Sequence, residues 1–139
     1  MKYLTNVVKE AIRITPPVGG GYRKALKTFE IDGYQIPKGW TVAYSIRDTH
    51  ELGNKLISNP EKFDPDRWEN LQRRDNEHFI AFGGGKKGCA GKQFALLMLK
   101  IFTLEVVRSC RWTIPNPRPI MKYIPVPHPS DHLPMHFSK

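Results

Sequence analysis

The sequence predicts an α+β fold, mainly α with small antiparallel sheets. Residues 2–14 carry apolar side chains at helical spacing, residues 90–108 are apolar on nearly every side, and the short run "FEIDGYQI" alternates apolar and polar positions around Asp32-Gly33. Twelve prolines and eleven glycines fall largely between these segments, so the remainder reads as turns and short strands. At 139 residues, 40% of them hydrophobic, the chain has material for a modest core, and no internal repeat or second domain boundary divides it.

In "KYLTNVVKEAIRI", Tyr3, Leu4, Val7, Val8, Ala11 and Ile12 line one face at about 100° per residue. Glu10 falls at the edge of that stripe and Arg13 one step further round, so the carboxylate is expected to be half buried. Pro16 and Pro17 end the helix, and "VGGGY" makes an extended, flexible crossing. Residues 29–36 form a short hairpin, because Asp-Gly suits a two-residue turn with both φ angles positive. "PKG" turns the chain into a strand at "WTVAYSI", with a helix around "THELGNKL". The prolines of "NPEKFDPDRW" stand too close together for regular structure. Ala90 to Arg108 is expected to be a helix buried between layers, in the interior of something larger. The tail "PNPRPIMKYIPVPHPSDHLPMHF" reads as a strand pair with irregular turns.

The net charge of +9, from 22 Lys and Arg against 13 Asp and Glu, favours anionic partners without choosing among them. No basic block and no nucleic-acid-binding signature accompanies it, so the reading is a solvated basic face and no nucleic acid. Met1 leads straight into an amphipathic helix, which is not the pattern of a targeting segment. Lys100 and Glu105 break the longest apolar run short of the roughly 18 to 20 residues of a membrane span. Cys89 and Cys110 flank a helix of about 19 residues, which holds them nearly 30 Å apart, beyond the Cα separation of about 7 Å that a disulfide tolerates. Two free thiols in a reducing compartment follow, with Cys110 expected to be buried and structural.

The stretch "FGGGKKGCAG", residues 82–91, strips side chains from around one thiol just before the apolar helix. "GGGKKG" matches the dinucleotide fingerprint G-x-G-x-x-G, yet the acidic residue about 20 positions on is Glu105, inside the helix. A Walker loop fails because Gly91-Lys92 precedes Gln93. Zinc lacks a C-x-x-C, and prolines keep His128, His132 and His136 off a common helical face. Cys89 as a nucleophile has only His78 as a local base. A thiolate metal ligand accounts for the glycines. A helix amino terminus and free backbone N–H groups stabilise the thiolate, Gly85 and Gly88 permit turns with φ > 0, and Gly91 lets the first helical turn approach a flat macrocycle. Phe82 would shield the sulfur from water, and Lys87 would reach an acidic group on the macrocycle.

Phe82, Gly85, Lys87, Cys89 and Gly91 match the haem-binding pattern F-x-x-G-x-[R/K/H]-x-C-x-G, so the chain resembles the cytochrome P-450 monooxygenases. "EAIR" resembles the family's E-x-x-R pair at Glu10 and Arg13, and "FDPDRW" its downstream arginine at Arg67. The resemblance implies that these three residues form a structural triad, that Arg23 contacts a haem propionate, and that Cys89 is the axial thiolate of haem b. Lys87 stands where the family more often has arginine, exchanging a bidentate fork for a point charge.

"GGGYRKALKTFEIDGYQIPKGWTVAYSIRDTH" and "HPSDHLP" are most similar to the retinoic acid hydroxylases of animals. That resemblance implies oxidation of a small apolar substrate, electrons from an NADPH-dependent reductase, and a full-length protein at the endoplasmic reticulum membrane. Pro17, Val18 and Gly19, with Val126 and Pro127 of the terminal turn, would line the substrate. A sterol- or fatty-acid-oxidising relative and an inactive haem-binding piece are the alternatives. The family's chains are several times longer, so residues 1–139 are expected to be the carboxy-terminal haem-binding portion of one domain. The oxygen-activating residues and any membrane segment would then lie in an absent amino-terminal part.

Overall fold

The computed structural model describes residues 1–52, 58–70, 79–124 and 126–139. Helix α1 (Lys2–Ile14) opens the chain, with Arg13 in its last turn opposite the negative end of the helix dipole. It stops where expected, the Thr15 N–H donating to the Ala11 carbonyl at 3.0 Å ahead of the two prolines. The glycine run that follows is not a flexible crossing. Gly20–Lys24 forms strand β1, antiparallel to β4 (Thr41–Ser45) with Gly20 opposite Ser45. The glycine is there for proximity, since a Cβ at Gly20 would lie 2.2 Å from the Tyr44 carbonyl oxygen.

Between them lies the expected hairpin, β2 (Phe29–Ile31) and β3 (Tyr34–Ile36), with Phe29 opposite Ile36. Asp32 and Gly33 take φ of 49° and 78°, the two positive values that the mirror-image type I turn requires. Helix α2 (Ile46–Glu51) begins three residues earlier than the sequence reading placed it, because Ser45 caps it by accepting from the Asp48 N–H at 3.0 Å. Residues 53–56 of the expected "THELGNKL" helix lie outside the described residues. The proline-spaced segment was expected to hold no regular structure, but a short helix, α3 (Arg67–Asn70), begins inside it, just past Pro65.

Helix α4 (Lys92–Ser109) is the long apolar helix, and β5 (Arg111–Thr113) continues from it. The tail holds the expected strand pair, β6 (Met121–Lys122) with β7 (His128–Pro129), and a further strand, β8 (His136–Ser138), that returns to β5. Cys110 is half exposed, not buried, and its thiol donates to the Val106 carbonyl at 3.3 Å. Both cysteines are free. Among the described residues no helix is long and apolar enough to cross a membrane.

The core sits on the inward face of α1 and is half polar. Val8, Ile12, Ala25, Ile46 and Trp68 are its buried apolar side chains, alongside Asn6, Glu10, Arg13 and His50. Glu10 and Arg13 are fully buried rather than at a half-exposed edge, because the segment carrying Pro60, Lys62 and Trp68 closes over the polar side of the helix. Helix α4 was expected in the interior of something larger, a setting that these 139 residues do not supply. None of its side chains is buried, with Phe94 at 69% and Phe102 at 66% exposure, because α1 packs along only one side of it.

Candidate functional site

Two constellations stand out, one on each side of α1. Behind the helix, Glu10 accepts five hydrogen bonds: Arg13 Nε (2.9 Å) and Nη2 (3.0 Å), Arg67 Nε (2.9 Å), Trp68 Nε1 (2.9 Å) and the Asp64 backbone N–H (3.1 Å). The two guanidinium groups then spread to backbone carbonyls, Arg13 to Pro60 at 2.6 Å and Arg67 to Ser58 and Lys62 at 2.9 and 3.1 Å. Burial on its own would raise the Glu10 carboxyl, but hydrogen bonds from Arg13, Asp64 and Trp68, with the Arg13 charge, outweigh it and hold the group below the usual carboxylate range. The network is a strut with no open face. The expected Glu10, Arg13 and Arg67 are brought together in it, and Trp68 is the member that sequence reasoning missed. Its signal was the place next to Arg67 in "DRW".

In front of α1, a cavity of about 360 Å³ gathers Cys89, Phe82, Lys87, Arg23, Pro17 and Val18 with Ile12, Tyr44, Ala95 and Leu99. The loop that delivers Cys89 is folded on its own backbone. Ile80 C=O accepts from Gly83 N–H (2.8 Å), Phe82 C=O accepts from Cys89 N–H (2.8 Å), and Cys89 C=O accepts from Lys92 N–H (3.3 Å) at the start of α4. Gly83 and Gly85 adopt φ of 67° and 59°, so the left-handed positions are 83 and 85. Gly88 was expected to be one of them but has φ of −59°, and it is small for another reason: a Cβ there would meet the Gly85 carbonyl at 3.3 Å. At Gly91 a Cβ would come within 3.8 Å of the Cys89 sulfur.

The cavity's charged lining is Arg23 and Lys87, with no carboxylate among its described lining residues. Arg23 is steadied by the Tyr22 carbonyl (2.8 Å) and by lying 5.1 Å from the centre of the Tyr44 ring. The Cys89 thiol is exposed to this space. A thiol, apolar walls and two uncompensated cations can hold a flat apolar group that carries acidic substituents.

The remaining expected residues divide. Gly19 and Pro127 line a second cavity of about 300 Å³ together with Arg47, Met121 and Tyr123. Val126 is exposed and lines neither space. His78, the one local base for a nucleophilic Cys89, lies outside the described residues. Tyr44 went unnoticed as a wall, since strand alternation marks it only as sharing a face with Val42.

A family model described as Cytochrome P450 matches residues 1–133. Cytochrome P450 26A1 of Gallus gallus is 50% identical over 139 residues, covering 99% of this chain and 28% of its own length. Cytochrome P450 26C1 of Homo sapiens is 48% identical, covering 99% of this chain and 27% of its own length. The chain therefore spans little more than a quarter of these curated relatives. Among solved structures, the retinoic acid bound cyanobacterial CYP120A1 aligns at a TM-score of 0.91 with 36% identity, over 99% of this chain and 32% of that one. The cytochrome P450DA heme domain aligns at 0.87 with 28% identity, over 98% of this chain and 31% of that one.

Proposed function

The chain belongs to the cytochrome P450 family, and we propose that it acts there as the haem-binding part of a monooxygenase that inserts one oxygen atom into a C–H bond of an apolar acid, retinoic acid in particular. The observation that carries the reading is the convergence of Cys89, Arg23 and Lys87 on one largely apolar cavity. The residues present fit haem: a thiol for iron, apolar walls from Ile12, Phe82, Ala95 and Leu99, and two cations for two propionates. Bound haem supplies the dioxygen chemistry, and a thiolate ligand is the protein's means of raising electron density at the iron.

The chain's own part is to bind and orient. Cys89 provides the thiolate, held by the Phe82 carbonyl through its N–H and freed of neighbouring side chains by Gly91. Lys87 and Arg23 pair with propionates, and Phe82 keeps water from the sulfur. Glu10, Arg13 and Arg67 brace α1, which supplies Ile12 to the cavity wall. Pro17 and Val18 line the same cavity and meet the substrate, whereas Gly19 and Pro127 line the second cavity and Val126 neither. The retinoid assignment draws support from the relative solved with retinoic acid bound. An NADPH-dependent reductase as electron donor and residence at the endoplasmic reticulum membrane belong to the same proposal.

The reduced, carbon-monoxide-bound full-length protein tests it. The wild type should show the red-shifted Soret band of thiolate-ligated haem and oxidise retinoic acid when reductase is supplied. Cys89→Ser should abolish both. Persistence of the band in that variant would remove Cys89 from the iron.

A further inference from the structure

Resting on the haem-binding reading above, we infer that His50 is a positioning residue for the Cys89 ligand: as a neutral imidazole protonated on Nδ1, it ties the carbonyl end of α1 to the root of the cysteine loop. His50 is 1% exposed and lines neither the Cys89 cavity nor the second one. Its Nε2 lies 3.1 Å from the backbone nitrogen of Ile80. An amide N–H only donates, so Nε2 is the bare nitrogen and the ring proton sits on Nδ1, which donates to the Arg13 carbonyl at 3.3 Å.

Beyond Ile80 the path to the sulfur is a short run of backbone hydrogen bonds. The Ile80 carbonyl accepts from Gly83, and the Phe82 carbonyl accepts from Cys89, each at 2.8 Å. At its other end the imidazole is anchored to a residue that cannot move freely, because the Arg13 side chain is held by Glu10 and by the Pro60 carbonyl. The ring plane is fixed by Phe79, stacked at 5.4 Å, and Phe79 in turn meets the edge of Trp68 at 5.1 Å. The loop's entry is thus hung from the ionic strut behind α1. Burial, reinforced by the Arg13 charge, keeps the imidazole below its ordinary pKa and so in the neutral form that the two bonds require. Among the described residues, the charged groups near it are Arg13 from α1 and Glu51 from its own helix, and the loop side brings the Phe79 ring and the Ile80 amide.

The test uses the haem-loaded full-length protein. His50→Phe keeps the ring and its stacking but has neither acceptor nor donor. It should raise amide exchange at Ile80 about tenfold, the effect of losing one hydrogen bond that holds a local structure closed, and should shift much of the carbon-monoxide complex from the thiolate band to that of a neutral thiol. His50→Gln offers an acceptor oxygen and a donor NH2 on one planar amide and should restore both readouts. Unchanged Ile80 exchange with an unchanged thiolate band in H50F overturns the inference, and so does an H50Q that behaves like H50F. Where H50F fails to fold, imidazole nitrogen shifts of the wild type decide: protonated Nδ1 with bare Nε2 supports it, and the other tautomer or an imidazolium at neutral pH overturns it. A wild type without the thiolate band overturns the haem-binding reading and this inference together, whereas a normal wild type with an unaltered H50F overturns this inference alone.

Discussion

Replacing Glu10 by alanine removes one buried carboxylate and leaves five donors without their acceptor. The cost is uneven. Arg67 keeps three backbone carbonyls, at Ser58, Asn59 and Lys62, and its side chain is 8% exposed. Arg13, at 1%, keeps among the described residues the Pro60 carbonyl at 2.6 Å and a long contact to Lys62 at 3.4 Å, so its charge is the one left uncompensated. Removing one partner of such a buried pair costs about 3–5 kcal/mol. The Trp68 indole N–H, orphaned in the same step, would by itself cost about 1–3 kcal/mol, though the two penalties overlap and do not simply add. Against a total stability of about 5–15 kcal/mol for a domain, the lower figure alone removes a large share. Urea unfolding of the full-length protein should show the midpoint falling by the equivalent of at least about 3 kcal/mol, with haem content falling alongside. Glu10→Gln, which keeps one acceptor oxygen, should fall between the two. A loss below about 1 kcal/mol in E10A would mean that water screens the pair as it does at a surface, and would refute the reasoning.

Three further outcomes are expected. Folding holds the His50 imidazole below its ordinary 6.5 and the Glu10 carboxyl below its ordinary 4.5, so both groups favour the folded state most at high pH; stability should decline first as pH falls below about 6.5 and again below about 4.5. Urea midpoints from pH 8 to 4 should show the upper limb flattened in H50Q and the lower limb intact; parallel profiles would exclude His50 as its source. Gly20→Ala should cost about 1–3 kcal/mol through the clash with the Tyr44 carbonyl, while Gly19→Ala, with nothing within 4 Å, should stay within about 0.5 kcal/mol in thermal unfolding. The 139-residue chain expressed alone exposes 11093 Å², against about 7,400 Å² for a folded monomer of 16.0 kDa. It should aggregate or bind hydrophobic dyes in light-scattering and fluorescence assays, and a monomer with a sharp unfolding transition would contradict this.

What could be read from the sequence was what short-range chemistry decides. Asp32-Gly33 names its own turn, Pro16-Pro17 stops α1, and the glycines around Cys89 mark a thiol kept clear of side chains. Where the reading failed, the deciding partner lay far along the chain. The helical wheel put Glu10 at an edge because it weighs apolar residues, whereas Asp64, Arg67 and Trp68 arrive from more than fifty positions away to bury the polar side. Strand β1 was missed because glycine is a poor strand former, and only the Tyr44 carbonyl explains its use there. The β5–β8 pair escaped because each strand is three residues long and its partner lies beyond a proline-rich tail. His50 passed unremarked, although its place four residues after Ile46 puts both on one face of α2, and both are buried.

The half-ionic core also dictates an order of events when the chain folds. Of the five donors to Glu10, only the two from Arg13 belong to its own helix, while the other three wait 54 to 58 residues downstream. Until that segment returns, α1 carries a bare ion pair on the side that must go inward, and loop closure over that distance comes before any gain from the contacts. Early collapse can therefore use Val8, Ile12 and Ile46 but not the strut, and a wrong apolar surface pressed against α1 meets two charges with nothing to accept or donate. Docking of residues 58–68 is the late, committing step. Its kinetic signature is a φ-value near zero for E10A, with the unfolding rate taking nearly all of the stability change.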